Sequence, residues 1–138
     1  MRVLHVDDDA DIREIAELAL RLDPAFEVLS AASGAEALDR VSDFAPELCL
    51  IDVMMPGMDG PSLWLALRDH PLTADVPVIF MTAMAQSHMV DDLMRLGAIG
   101  IIAKPFDPMK LAEEVKEQLE SPGLSRTAMY QASSVVTR

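Results

Sequence analysis

Leu48-Cys49-Leu50-Ile51-Asp52-Val53-Met54-Met55-Pro56-Gly57 is the stretch on which the reading of this chain turns. Four apolar residues in succession, one of them β-branched, describe a short strand buried on both faces, and the Met-Pro-Gly that follows breaks it into a loop. Asp52 stands where the strand stops. A carboxylate is costly to bury alone, so one placed at the end of a core strand calls for a cation, a donor or a chemical task. A loop-capping Asp is the plainer account of this residue taken by itself. The remainder of the chain decides between the two.

With 138 residues, the chain has room for one domain with a real core. A hydrophobic fraction of 51% against 25% charged residues is globular in character and argues against disorder. No apolar run approaches the roughly 20 residues of a membrane helix, and the N-terminus turns acidic at Asp7, too soon for a signal peptide, so a cytoplasmic protein without membrane insertion is expected. Cys49 is the only cysteine, which excludes an internal disulfide and a thiolate metal site; a buried structural thiol is expected. His5, His70 and His88 share no ligand spacing. The net charge of −12, from 23 acidic and 11 basic residues, argues against direct nucleic-acid binding and suits a divalent cation or basic partner surfaces.

Taken in order, Arg2 to Val6 reads as a first strand, followed at once by Asp7-Asp8-Asp9. Ile12, Ile15, Ala16, Ala19 and Leu20 then fall at helical spacing, with Arg13, Glu14, Glu17 and Arg21 on the other face, until Asp23-Pro24 stops the helix. An N-cap at Asp8 or Asp9 accounts for one carboxylate well and for three in succession poorly. Phe26 to Ala31 is a second strand, and Ser33-Gly34-Ala35-Glu36 has the form of a capping box opening a helix to about Phe44. After the Leu48 to Asp52 strand, Asp59-Gly60-Pro61 supplies a cap and a first-turn Pro for a helix through Leu63, Ala66 and Leu67, on which Trp64 is expected to be partly exposed. Val76 to Thr82 is a fourth strand. A helix from Ser87 to Leu96 ends at Gly97 as a left-handed C-cap, Gly100 to Ala103 is a fifth strand, and Asp107-Pro108 opens a last helix ending near Glu120. From Ser121 onward periodicity is lost, although Leu124, Met129, Tyr130, Val135 and Val136 remain apolar enough to pack.

Five strands alternating with five helices predict an α/β fold, a parallel sheet covered on both faces by right-handed crossovers. Such doubly wound sheets bind ligands beyond the carboxyl ends of their strands. Those ends carry Asp7 and Asp8, Asp52, Thr82 and Lys104. Three neighbouring carboxylates repel one another unless a cation sits among them, and a hard divalent ion with oxygen ligands is the natural remedy. Asp7, Asp8, Asp52 and the backbone carbonyl of Met54 are the candidate ligands for Mg²⁺ or Mn²⁺. Lys104 and Thr82 suit phosphoryl oxygens, and a carboxylate so placed can attack phosphorus.

At this point the chain resembles a receiver domain of the two-component response regulators, of the chemotaxis type. The residues that carry the resemblance are Val6-Asp7-Asp8-Asp9, Ile51-Asp52-Val53-Met54-Met55-Pro56-Gly57-Met58-Asp59-Gly60, Met81-Thr82-Ala83 and Lys104-Pro105-Phe106, in family order and spacing. It covers residues 1–120 and implies a flavodoxin-like sheet of strand order 2-1-3-4-5, with 121–138 as a C-terminal tail and no output domain. It also implies that a sensor histidine kinase or phosphotransfer protein phosphorylates Asp52, that Asp7 and Asp8 hold Mg²⁺, that Thr82 and Lys104 bind the phosphoryl group, and that the Lys104-Pro105 peptide is cis. The family often carries an aromatic toggle at the position of Ile101, which this sequence lacks, and polar residues where Met54 and Met84 stand. Those two methionines are therefore expected to modulate the lifetime of the phosphorylated state.

The expectation is thus a stand-alone phosphorylation-dependent switch of protein affinity, monomeric or weakly dimeric, that promotes its own phosphorylation and dephosphorylation but is not otherwise an enzyme. Met55, Met58, Met84 and Met89 are expected near the rim of the site, where pliable thioethers suit an adaptable contact surface with a downstream target. The rival enzyme, a phosphatase of the haloacid-dehalogenase type, needs a second Asp two residues beyond the nucleophile, where Met54 stands. A flavin carrier of flavodoxin type would have its phosphate repelled by Asp7-Asp8-Asp9.

Overall fold

Strand β3, Leu48–Asp52, runs through the centre of the sheet with every residue buried. Leu48 and Leu50 point into one apolar cluster and Cys49 and Ile51 into another, so alternate side chains feed opposite faces. The structure, a computed structural model, describes residues 1–85 and 88–120. The expected helix start at Ser87 and the 121–138 tail lie outside the described residues.

The order of elements is β1 (Arg2–Val6), α1 (Ala10–Arg21), β2 (Glu27–Ala31), α2 (Gly34–Phe44), β3, α3 (Gly60–Arg68), β4 (Val78–Thr82), α4 (His88–Leu96), β5 (Gly100–Ala103) and α5 (Leu111–Glu120). All pairings are parallel, in the order β2-β1-β3-β4-β5, as expected. Helices α1 and α5 cover one face through Ala16, Leu20, Leu111 and Val115, while α2, α3 and α4 cover the other through Val41, Leu63, Leu67 and Leu93. The chain leaves β1 towards β2 on one side and returns to β3 on the other, which opens a crevice at the carboxyl ends of β1 and β3.

Caps set the helix entries. Asp9, rather than Asp8, caps α1, accepting the N–H groups of Asp11 at 2.9 Å and Ile12 at 3.2 Å. Ser33 caps α2 through the Glu36 N–H at 3.1 Å, and the Glu36 carboxylate returns to the Ala32 N–H at 3.2 Å. Asp59 caps α3 through the Ser62 N–H at 2.8 Å, with Pro61 in the first turn. Gly97 has φ of 112°, the left-handed conformation expected of it.

Four expectations need correction. Trp64 is only 5% exposed: it meets Phe80 edge-on at 5.6 Å between ring centroids, with the Arg68 guanidinium 5.3 Å from its own ring. Helix α5 starts at Leu111 and not at Pro108, because Asp107 closes a separate turn in which its side chain accepts the Met109 N–H at 2.9 Å. Strands β2 and β4 begin at Glu27 and Val78, so Phe26, Val76 and Pro77 precede them. Arg13 does not merely face solvent, since its guanidinium turns back to β1.

Candidate functional site

Four strands deliver the site. Asp7 and Asp8 follow β1, Asp52 and Thr82 are the last residues of β3 and β4, and Lys104 follows β5. Register places Asp52 beside Met81 and Thr82 beside Ala103, so the ends of β3, β4 and β5 are level. Asp7 is fully buried and fully engaged. Its Oδ1 accepts the Asp9 N–H at 2.9 Å, its Oδ2 accepts from Lys104 Nζ at 2.7 Å, and its carbonyl accepts from Arg13 Nη1 at 2.8 Å. Lys104 Nζ also lies 3.0 Å from Asp52 Oδ1. One ammonium thus bridges two buried carboxylates.

Asp8 is exposed, yet one carboxylate oxygen from each of Asp7, Asp8 and Asp52 lies within 4.8 Å of the others. Three acids against one ammonium leave an excess of negative charge, and the donors are all oxygen, which fits a hard divalent cation. Burial pushes the Asp52 carboxyl above its ordinary range; the hydrogen bond from Lys104 opposes this, and the charges of Asp7 and Asp8 add to it. For Lys104, burial pulls downward, but the hydrogen bonds to Asp7 and Asp52 and their charges outweigh it, and the ammonium is stabilised overall. His5 adds no positive charge here. Burial lowers it to about 4, and neither ring nitrogen has a hydrogen-bond partner among the described residues.

The backbone behind Asp52 is fixed on both sides. Val53 N–H bonds to the Met81 carbonyl at 3.0 Å, and Gly60 N–H to the Val53 carbonyl at 2.9 Å. A side chain at Gly60 would put its Cβ 2.4 Å from the Asp52 carbonyl oxygen, so the start of α3 can approach β3 only without one. Thr82 is buried; its Oγ1 accepts the Met84 N–H at 3.0 Å, and its carbonyl accepts the Lys104 N–H at 2.9 Å. The Lys104-Pro105 peptide is cis.

The structure therefore brings Asp7, Asp8, Asp52 and Lys104 together, with Thr82 on the neighbouring strand end. Met54 and Met84, each two residues beyond a strand terminus, are 65% and 52% exposed. Ile101 is buried in the core, its carbonyl held by Gln118 Nε2 at 3.0 Å. An open groove of about 630 Å³ runs along the loop after β3, lined by Met54, Met55, Pro56, Pro61 and Met89. Of the expected rim methionines, Met55 is itself buried.

Sequence reasoning missed two contributors. In the sequence Gly60 marks only a helix start, and its isolation between Asp59 and Pro61 is the available signal. Arg13 stood at a position that helical spacing assigns to the polar face, and nothing local marks its bond to the Asp7 carbonyl.

The model of the family described as response regulator receiver domain matches residues 3–116. The phosphate regulon transcriptional regulatory protein PhoB of Pseudomonas aeruginosa is 36% identical over 121 residues, 88% of this chain and 52% of that protein. The transcriptional regulatory protein PrrA of Mycobacterium tuberculosis is 37% identical over 137 residues, 97% of this chain and 56% of that protein. The chain thus spans about half the length of these curated relatives. Among solved structures, the chemotaxis protein CheY4 of Vibrio cholerae superposes with a TM-score of 0.77 at 30% identity, covering 84% of this chain and 96% of that one.

Proposed function

The chain belongs to the response regulator receiver domain family, and from that premise we propose that Asp52 accepts a phosphoryl group from a histidine kinase or phosphotransfer protein and that the product alters the affinity of this chain for a downstream protein. The family consists of two-component signalling proteins, not classical enzymes; it depends on Mg²⁺ in general and works between histidine kinases and downstream targets. The observation that carries the reading is the meeting of three carboxylates within 4.8 Å, two of them bonded to Lys104.

In this reading an Asp52 carboxylate oxygen attacks phosphorus in line, the bond from phosphorus to the donor breaks, and the leaving group takes the electron pair. Ionised Asp52 is the form that attacks, and Lys104 favours it by stabilising the charge. Lys104 then follows the charge from carboxylate to phosphoryl oxygen, and the Thr82 hydroxyl donates to a second oxygen. Asp7, Asp8, Asp52 and the Met54 carbonyl are the residues that would hold Mg²⁺ or Mn²⁺, which when bound supplies charge neutralisation to the transferring oxygens. Because Lys104 leaves Asp7 and Asp52 in that exchange while its backbone N–H stays on the Thr82 carbonyl, the ends of β4 and β5 feel the modification. With Ile101 buried and stiff about its first torsion, no ring toggle accompanies it. A cytoplasmic site of action belongs to this reading, as does the absence of direct nucleic-acid contact by residues 1–120.

No observation favours the haloacid-dehalogenase-type alternative, whose second Asp is replaced by the exposed Met54. The test is phosphotransfer from a panel of autophosphorylated histidine kinases carrying radiolabelled phosphate. Rapid Mg²⁺-dependent transfer from a subset of kinases to wild type, and none to Asp52→Asn, is expected. Equal labelling of the variant, or full labelling in chelator, overturns the reading.

A further inference from the structure

The chain carries ten methionines, and those among the described residues range from buried to exposed. Met55, Met81 and Met94 are buried, whereas Met54 and Met84 expose 65% and 52% of their surface. These two occupy equivalent places on adjacent strand ends, two residues past Asp52 and two past Thr82. The Met84 N–H is bonded to Thr82 Oγ1 at 3.0 Å, so the turn carrying its thioether is tied to the hydroxyl proposed to bind phosphoryl. Met54 lines the groove along the loop that follows Asp52. The only thiol offers peroxide no competing target: Cys49 is fully buried, and burial holds it protonated by raising it to about 12.

We propose that Met54 and Met84 are oxidation sites through which peroxide shortens the life of phosphorylated Asp52; this rests on the function proposed above. In the step, a sulfur lone pair attacks one peroxide oxygen, the O–O bond breaks, and a sulfur–oxygen bond forms. The leaving hydroxide takes the proton of the hydroxyl now on sulfur and departs as water, leaving the sulfoxide, so sulfur is oxidised by two electrons and the peroxide reduced. The thioether is apolar and a weak acceptor, suited to keeping an attacking water unoriented; the sulfoxide is polar and accepts strongly. Two such oxygens, each two residues past a strand end that carries the site, recruit and orient water for attack on phosphorus. Sulfoxide reductases reverse the change, which makes it a graded, recoverable signal and not only damage.

The experiment treats the whole chain with dilute hydrogen peroxide, locates sulfoxides by peptide mass spectrometry, and then phosphorylates with acetyl phosphate and follows loss of the phosphoryl group by intact mass. Met54 and Met84 should oxidise well before Met55, Met81 and Met94, and dephosphorylation should accelerate on the order of tenfold once both are converted. Reduction by methionine sulfoxide reductases should restore the slow rate. The double variant Met54→Leu, Met84→Leu, compared with itself before and after peroxide, should not respond. Met109→Leu, at a 78% exposed methionine on the turn before α5, should respond as wild type does. An unchanged lifetime after conversion of both residues, a peroxide response that survives in the double leucine variant, or oxidation no faster than at the buried methionines overturns the proposal. If unoxidised protein takes up no phosphoryl group, the function proposed above falls and this inference with it; normal uptake with no peroxide effect rejects the inference alone.

Discussion

Replacing Lys104 by Met removes the ammonium and keeps the length of the side chain. Its Nζ lies 2.7 Å from Asp7 Oδ2 and 3.0 Å from Asp52 Oδ1. At an effective dielectric of about 20 each contact represents a gross attraction of about 6 kcal/mol, most of which the desolvation of the three charges consumes. What the variant exposes is the other side of that balance, two buried carboxylates without a counter-charge. Breaking a buried pair by deleting one partner costs about 3–5 kcal/mol, and since the Lys104 side chain is 17% exposed the lower end, about 3 kcal/mol, is expected at neutral pH. The sign with pH follows. Burial already holds Asp52 above its ordinary range and Lys104 opposes that, so without the ammonium the folded variant binds a proton at Asp52 more readily than the unfolded chain, and its stability rises as pH falls from neutrality towards the unfolded carboxylate range of about 4. Mg²⁺ should also repair the deficit by binding the folded form, by about 2.7 kcal/mol at a hundredfold excess over Kd. Urea unfolding followed by Trp64, the only tryptophan and a buried one, measures all three. A loss under about 1 kcal/mol, or a deficit indifferent to both pH and Mg²⁺, would refute the electrostatic account of the cluster.

Other consequences are as specific. Gly60→Ala forces a Cβ against the Asp52 carbonyl oxygen, a backbone atom that cannot rotate away; a cost of about 1–3 kcal/mol and an acetyl-phosphate labelling rate lower by roughly a hundredfold are expected, and an unimpaired rate refutes the close-approach argument. Cys49 should resist alkylation in the native state and react at once in urea; because its folded pKa is about 12 against an ordinary 9.0, stability should decline as pH rises above 9, where only the unfolded chain loses the proton. Native labelling as fast as in urea contradicts this. Met54→Asn combined with Met84→Glu should speed dephosphorylation on the order of tenfold, about 1.4 kcal/mol of barrier, by admitting an oriented water; equal or slower loss of the phosphoryl group rejects the shielding role.

The sheet was legible because its signals are local and repeated. β1 and β3 were bounded correctly by apolar runs that end on acids, and Asp59-Gly60-Pro61 marked the start of α3 through cap chemistry alone. The acidic cluster followed from topology: once the strands are parallel, Asp7, Asp8 and Asp52 must share one edge. What stayed hidden depends on contacts between distant segments. Helical periodicity describes a single stripe and leaves Trp64 outside it, whereas the ring turns in against Phe80 of β4 and lies close to Gly97, just past the end of α4. The late start of α5 reflects a side-chain bond from Asp107 that competes with helix initiation. The double grip of Lys104 on Asp7 and Asp52 spans 97 residues between Asp7 and Lys104, a distance over which no spacing rule speaks.

The claim on which everything else depends is that Asp52 is the phosphoacceptor of a metal-assisted carboxylate cluster. Intact-mass measurement after incubation with acetyl phosphate tests it most directly, on wild type with Mg²⁺, on wild type with chelator, and on Asp52→Asn with Mg²⁺. The account predicts one added phosphoryl group in the first sample and none in the other two. A phosphoryl group on Asp52→Asn, or full labelling of wild type in chelator, would contradict it.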